Sequence, residues 1–267
     1  MLSLEKPIAM GILNITPDSF YDGGLYLDEH SILRQVEKML AEGADIIDLG
    51  GMSSRPGALN ISTEEELNRV IPVIDMRCRQ FPGIPISIDA IKARVAQESV
   101  QAGATIVNDI SAGKMDDQMY NTVARLGVPY VLMHMKGQPE NMQKKPEYED
   151  VVEEVLDFFI SEIGQLRALG VKDIILDPGF GFGKTIMHNY TLLKKLHVFN
   201  MLNLPILAGI SRKSMIYKVL GTDAQHALNG TSSLHMIALQ QGAKILRTHD
   251  VKEAVEVIKL WEQLENA

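Results

Sequence analysis

Five times along the chain a helical pattern ends in glycine, continues with Ala or Val, runs into an apolar stretch and closes on a polar residue. The copies are GADIIDLGG from Gly43, GATIVNDIS from Gly103, GVPYVLMHM from Gly127, GVKDIILDPG from Gly170 and GAKILRTHD from Gly242. Glycine is the residue expected just past a helix end, because it lacks the Cβ that makes a positive φ costly. The apolar runs that follow read as strands buried on both faces. Three further strands fit without the glycine opening: IAMGILN from Ile8, PISID from Pro85 and PILAGIS from Pro205.

Eight amphipathic stretches separate these eight strands. Ser62 and Glu65 form a capping-box start for a helix carrying Leu67, Val70, Ile71 and Ile74. The last helix places Val251, Val255, Ile258, Trp261 and Leu264 on one stripe. Eight strand–helix units of about thirty residues predict an α/β protein, a (β/α)8 TIM barrel in one domain over residues 1–267, rather than an open doubly wound sheet. Loop lengths give the barrel its polarity. Helix-to-strand links are short, whereas ITPDSFYDGGLY, MSSRPGALNIS and KGQPENMQKKPEYED follow the first, second and fifth strands. Long loops on one face mark the end that carries the active site.

The strand ends on that face carry Asn14, Asp48, Asp89, Asn108 with Asp109, His134, Asp177, Ser211 with Arg212 and Lys213, and Arg247 with His249. A single such residue reads as a turn cap; a polar group at every strand end reads as a pocket. The stretch IILDPGFGFGKT shows how one is built. Pro178 stops the strand after Asp177, and Gly179, Gly181 and Gly183 allow tight turns or close approach to a ligand. GFGFGKT resembles a phosphate-binding loop, but that motif needs four residues between its first glycine and the Gly-Lys pair. Here only three separate Gly179 from Gly183.

Composition narrows the class of ligand. The chain is 46% hydrophobic and 22% charged, as in ordinary globular proteins, and its net charge of −8 argues against broad binding to nucleic acid or to an anionic membrane. Cys78 is the single cysteine, so no internal disulfide forms and no thiolate metal site is indicated. No apolar run reaches the length of a membrane span and the N-terminus has no signal pattern, so the expected location is the cytoplasm.

Asp89, Asn108 and Asp177 offer fixed acceptors suited to a flat heterocycle with amino and ring N–H donors. Arg247 and Phe182 offer planar surfaces for stacking. Arg55, Lys213 and His249, with Asn14 and Ser54, suit phosphate oxygens. Met133 and Met135 read first as core packing. No protein-only metal set appears in the spacing, and a Mg²⁺ held chiefly by substrate phosphates fits better.

Together NITPDSFYDGG, DLGGMSSRPGA, SID, NDISAG, LMHMKGQPENMQ, DPGFGFGK, GISRKS and RTHDV resemble the dihydropteroate synthase family, from the first strand to the last helix. The resemblance implies condensation of 6-hydroxymethyl-7,8-dihydropterin pyrophosphate with 4-aminobenzoate, giving 7,8-dihydropteroate and pyrophosphate in folate biosynthesis. It also implies inhibition by sulfonamides. By motif, Asp89, Asn108, Asp177 and Lys213 would hold the pterin, Arg247 would stack on it, and Met133 and Phe182 would line the pocket. Asn14, Ser54, Arg55, Arg247 and His249 would hold the pyrophosphate, with Asn14 touching Mg²⁺. Phe20, Pro56 and Ser214 would border the aminobenzoate, and Asp22 would face a developing cation. Asp22, Lys213, Arg247 and Asn14 are the expected catalytic group, in an SN1-like reaction that needs no covalent intermediate. A homodimer through the last helices is also implied. Ser54, Met52 and Tyr21 depart from the family's usual residues without touching this chemistry. The alternative is a pterin-binding methyltransferase that acts with a cobalamin protein, which would not need the TPDSF, SSRPG and RTH anion elements.

Overall fold

The structure, a computed structural model, describes residues 4–15, 21–22, 26–27, 29–52, 61–137, 142 and 146–267. Eight parallel strands close into a barrel: β1 (Ile8–Asn14), β2 (Ile46–Gly50), β3 (Ile86–Asp89), β4 (Ile106–Asp109), β5 (Tyr130–Met133), β6 (Ile174–Asp177), β7 (Ile206–Ala208) and β8 (Ala243–Thr248). Each pairs with its sequence neighbours, and β1 closes the ring against β8, with Ile8 opposite Ile245 and Gly11 opposite Thr248. These are the eight predicted strands, in a closed (β/α)8 fold.

The glycine rule holds at every repeat: Gly43, Gly103, Gly127, Gly170 and Gly242 all have positive φ. The helices are α1 (Glu29–Ala41), α2 (Thr63–Gln80), α3 (Ala93–Ala102), α4 (Met119–Leu126), α5 (Val151–Ala168), α6 (Ile186–Lys194), α7 (Ser214–Leu220), α8 (Leu228–Gln240) and α9 (Val251–Glu265). That is nine among the described residues where eight were expected. The seventh unit holds two helices, because Gly221 takes the left-handed conformation that ends α7. Ser62 caps α2 by accepting from Glu65 N at 3.1 Å, but the other half of the expected capping box is replaced: Glu65 pairs with Arg69 one turn on. Two short strands in the first loop, Tyr21–Asp22 and Tyr26–Leu27, pair antiparallel.

Two cores organise the molecule. The larger lies between the barrel and its helices. The smaller fills the barrel floor with Ile8, Met10, Ile46, Ile106, Val131, Ile175, Leu207 and Ile245, one or two inward residues from every strand but β3. Above that floor β2, β3, β4, β6 and β8 carry Asp48, Asp89, Asn108, Asp177 and Arg247, whereas β5 carries Met133.

Candidate active site

The mouth of the barrel is built from the last inward residue of each strand and the turn that follows it. Arg247, at the end of β8, spans the opening. Its Nε donates to Asp48 Oδ2 at 2.6 Å and its Nη2 to Asp89 Oδ2 at 2.9 Å. Asn108, on β4, reaches the same Asp48 from the other side, with Nδ2 3.2 Å from Oδ2. Asp48 is fully buried and carries no role in the sequence-based assignment. It is the acid that holds Arg247 and Asn108 in place, and the strand-end pattern around the barrel was the signal that could have found it.

Each charge in this cluster acts on the others. Burial raises the Asp89 carboxyl to about 7; Arg247 opposes the rise, and the neighbouring Asp48, Asp109 and Glu66 carboxylates support it. Burial alone would lower the Arg247 guanidinium, but Asp48 and Asp89 outweigh it and leave the pKa above its ordinary value.

Asp177 ends β6. Its Oδ1 accepts from Gly179 N at 2.7 Å, which is the turn-cap role. A Cβ placed on Gly209 would lie 3.7 Å from Asp177 Oδ2 and 3.8 Å from Lys213 Nζ, so the second carboxylate oxygen and the ammonium converge beside the one residue type that leaves the space open. Burial raises the Asp177 carboxyl against the pull of Lys213. Lys213 caps α7 by position but is not a solvated helix start. Its Nζ donates to the Phe180 carbonyl and stands 4.6 Å above the centre of the Phe182 ring. Burial lowers its pKa to about 8.

Met133 belongs to a small apolar cluster with Ile91 and Ile110, against which Met52, Met135 and Phe182 pack. Met133 and Met135 thus take part in the apolar packing expected of them, and Phe182 packs against the same cluster. Asn14 closes β1 opposite Gly50, where an added Cβ would lie 3.3 Å from Asn14 Oδ1 and 3.7 Å from the Asp89 Cβ.

His249 follows β8 two residues after Arg247. Its Nδ1 is 3.1 Å from Ser211 Oγ, and Ser211 also accepts from His249 N at 3.2 Å. Desolvation lowers the imidazole to about 4, with Arg247, Arg212 and Lys213 adding to the effect. His249 and the three cations thus share one face of the barrel. Arg212, at φ 54°, is itself committed to the fork of Asp250, at 2.8 Å and 2.6 Å. Asp109 is structural as well: it binds Ser111, Gly113 and Tyr130 and shapes the turn after Asn108. Ser214 opens α7 beside Lys213. Phe20, Ser54, Arg55 and Pro56 lie outside the described residues, as does the side chain of Asp22.

The mouth is thus a preassembled set of acids and cations above an apolar floor, suited to a polar planar molecule joined to an anion. The chain belongs to the pterin-binding enzyme family, whose profile, described as "Pterin binding enzyme", matches residues 10–249. Within that class its similarity is to dihydropteroate synthases. The Escherichia coli K12 dihydropteroate synthase is 45% identical over 263 residues, 98% of this chain and 93% of that one. A Yersinia pestis dihydropteroate synthase in a sulfonamide drug complex superposes with a TM-score of 0.93 at 43% identity, covering 100% of this chain and 97% of that one. The Xanthomonas albilineans dihydropteroate synthase solved with 4-aminobenzoic acid gives a TM-score of 0.93 at 39% identity, covering 100% and 96%.

Proposed function

We propose that the mouth of this barrel carries out the dihydropteroate synthase reaction, with Asp89, Asn108, Asp177 and Lys213 holding the pterin and Arg247 and His249 holding the pyrophosphate. The activity is that of its relatives, a transferase of folate biosynthesis open to sulfonamides. One observation supports the residue roles above the rest: acids from β3 and β6 and cations from β7 and β8 meet over a single opening.

In this scheme the Asp177 and Asp89 carboxylates accept from the pterin's amino and ring N–H groups. Met133 and Phe182 supply an apolar wall, and Arg247 covers the ring. The bond between the pterin methylene carbon and the pyrophosphate oxygen breaks, and its electron pair leaves with pyrophosphate toward Arg247, His249, Arg55 and Ser54. The dihydropterin ring and Asp22 stabilise the cation left behind. The amine lone pair of 4-aminobenzoate, placed by Phe20, Pro56 and Ser214, forms the new C–N bond, and the amine then loses a proton.

Among the described residues no group of three or more His, Cys, Asp or Glu side chains is arranged to hold a metal. Asn14 offers one amide oxygen, which fits a Mg²⁺ whose other ligands are substrate oxygens and water. Such an ion would neutralise charge on the leaving group.

A homodimer belongs to the same proposal. Adjacent helices α7, α8 and α9 expose Val219, Leu220, Ile237, Leu260 and Leu264, an apolar surface that a second copy would cover. A cytoplasmic setting is supported by the single cysteine. Among the described residues no helix is long and apolar enough to cross a membrane.

The test is an assay with the pterin pyrophosphate and 4-aminobenzoate. Pyrophosphate should appear in step with dihydropteroate, and chelation of Mg²⁺ should suppress both. Absence of pyrophosphate release would refute the reading.

A further inference from the structure

The lysine that gives GFGFGKT its likeness to a phosphate-binding loop has a different occupation in this fold. Lys184 is only 3% exposed and turns back beneath its own loop. Its Nζ lies 3.0 Å from the Gly179 carbonyl, 3.0 Å from the Phe182 carbonyl, 3.2 Å from the His134 carbonyl and 2.9 Å from His134 Nδ1. An ammonium has three N–H donors, so four acceptors already saturate it and none is left for a phosphate.

His134 is shaped for the contact. Its ring is buried at the end of β5 and meets the edge of Phe158 at 4.9 Å and 83°. Burial, then the charges of Lys184, Lys114 and Lys136, push the imidazole far below its ordinary pKa. It is therefore neutral, with the Nδ1 lone pair toward the ammonium.

The turns after β5 and β6 touch backbone to backbone. A Cβ on Gly179 would fall 1.9 Å from the His134 carbonyl oxygen, and one on Gly183 would fall 2.1 Å from that of Lys136. No side chain can bind these turns from between them. Lys184 ties them together from below.

The tied turn supports three groups at the mouth. Asp177 is fastened to it through Gly179 N, Lys213 through the Phe180 carbonyl, and Phe182 is part of it. Burial lowers the Lys184 ammonium to about 7, so its charge is complete in the acid range, where it favours the ionised form of Asp177 alongside Lys213 and Arg247.

We propose that Lys184, held on the imidazole of His134, is a positioning residue for the pterin head, fixing Asp177, Phe182 and Lys213 in one geometry. This rests on the assignment of Asp177 to the pterin edge.

The experiment is calorimetric titration of the full-length protein with 6-hydroxymethylpterin across a pH series. The wild type is compared with Lys184→Met, His134→Phe and Asp177→Asn, and folding is followed by circular dichroism. Lys184→Met should weaken pterin binding about tenfold or more, the scale of one charged hydrogen bond. It should also move the acid limb of the affinity profile to higher pH, since Asp177 loses a nearby positive charge; a purely structural role would leave that limb in place. A folded Lys184→Met with wild-type affinity and an unmoved acid limb overturns the proposal. If Asp177→Asn also binds normally, the pterin-edge assignment has failed instead. His134→Phe leaves three carbonyls for three N–H donors and should cost no more than about threefold. If Lys184→Met does not fold, Lys184→Gln decides, and wild-type affinity with an unmoved acid limb refutes the lock.

Discussion

The barrel floor and the barrel mouth are two residues apart. On β2 the floor residue is Ile46 and the mouth residue Asp48; on β4 they are Ile106 and Asn108, on β6 Ile175 and Asp177, on β8 Ile245 and Arg247. Side chains on a strand alternate faces, so each pair points into the same barrel at successive levels. The floor is filled by aliphatic side chains that need nothing but each other. At the mouth, burial works against every charge, and Asp89 and Asp177 are both pushed toward the neutral form. The same strands therefore supply stability at one end and reactive, under-compensated groups at the other. The site's charges persist because each is tied to an opposite charge or to a backbone group, and a ligand that satisfies them completes the set.

The sharpest break of this contrast is Arg247→Met. It leaves Asp48 and Asp89, both largely buried, facing each other without their shared cation. Removing one partner from a buried pair costs about 3–5 kcal/mol. Denaturant unfolding should show a loss of that order, and turnover should fall with it. Retention of full stability would mean that water already compensates the two acids.

Ile245→Ala, one level down on the same strand, is the complementary experiment. A fully buried isoleucine cut to alanine costs about 2–5 kcal/mol through lost burial and the remaining cavity. Yet kcat/KM should stay near wild type at a temperature where the variant is folded. A large fall in kcat/KM would show that floor and mouth are not separable.

Asp177→Asn touches the mouth alone. Asparagine keeps an Oδ1 for Gly179 N, so the turn retains its cap and the unfolding midpoint should hold. It removes the charge and turns one acceptor into a donor. Pterin binding should weaken by about 1.5–3 kcal/mol, roughly ten- to a hundredfold. Calorimetry would measure it, and unchanged affinity would remove Asp177 from the pterin edge.

The floor was readable in the sequence almost completely, because it rests on local signals. Apolar runs of strand length follow glycines at Gly43, Gly103, Gly127, Gly170 and Gly242, and the structure places a strand after each. The mouth was readable as a ring of polar strand ends, but not in its pairings. Arg247 and Asp48 are separated by 199 positions, and nothing local says that they meet. Lys184 had no readable role for the same reason: its partner His134 is 50 residues distant, and only the stacked turns reveal the carbonyls that it binds. The split of the seventh helical unit was missed because Gly221 was one glycine among 21.

The smallest expected effect concerns protons at the mouth. Asp89 is raised to about 7, chiefly by burial and then by the acids around it, with Arg247 opposing. A carboxyl raised in the folded state favours folding most fully at pH values below its unfolded pKa. That contribution is lost as pH rises through about 7, where the folded protein must ionise a buried acid. Pterin binding should run the other way, because the proposed contact uses the carboxylate as an acceptor. Affinity should therefore climb between about pH 6 and pH 8, by no more than about tenfold per pH unit for one proton. The floor contains no titratable group, so Ile245→Ala should keep that slope, whereas Asp89→Asn should flatten it. Calorimetric titration of a pterin at several pH values, in buffers of matched ionic strength, would read both slopes. A wild-type affinity independent of pH over this range would mean that Asp89 stays ionised under the hold of Arg247, and the pair would then act as a fixed dipole rather than as a proton-sensitive acceptor.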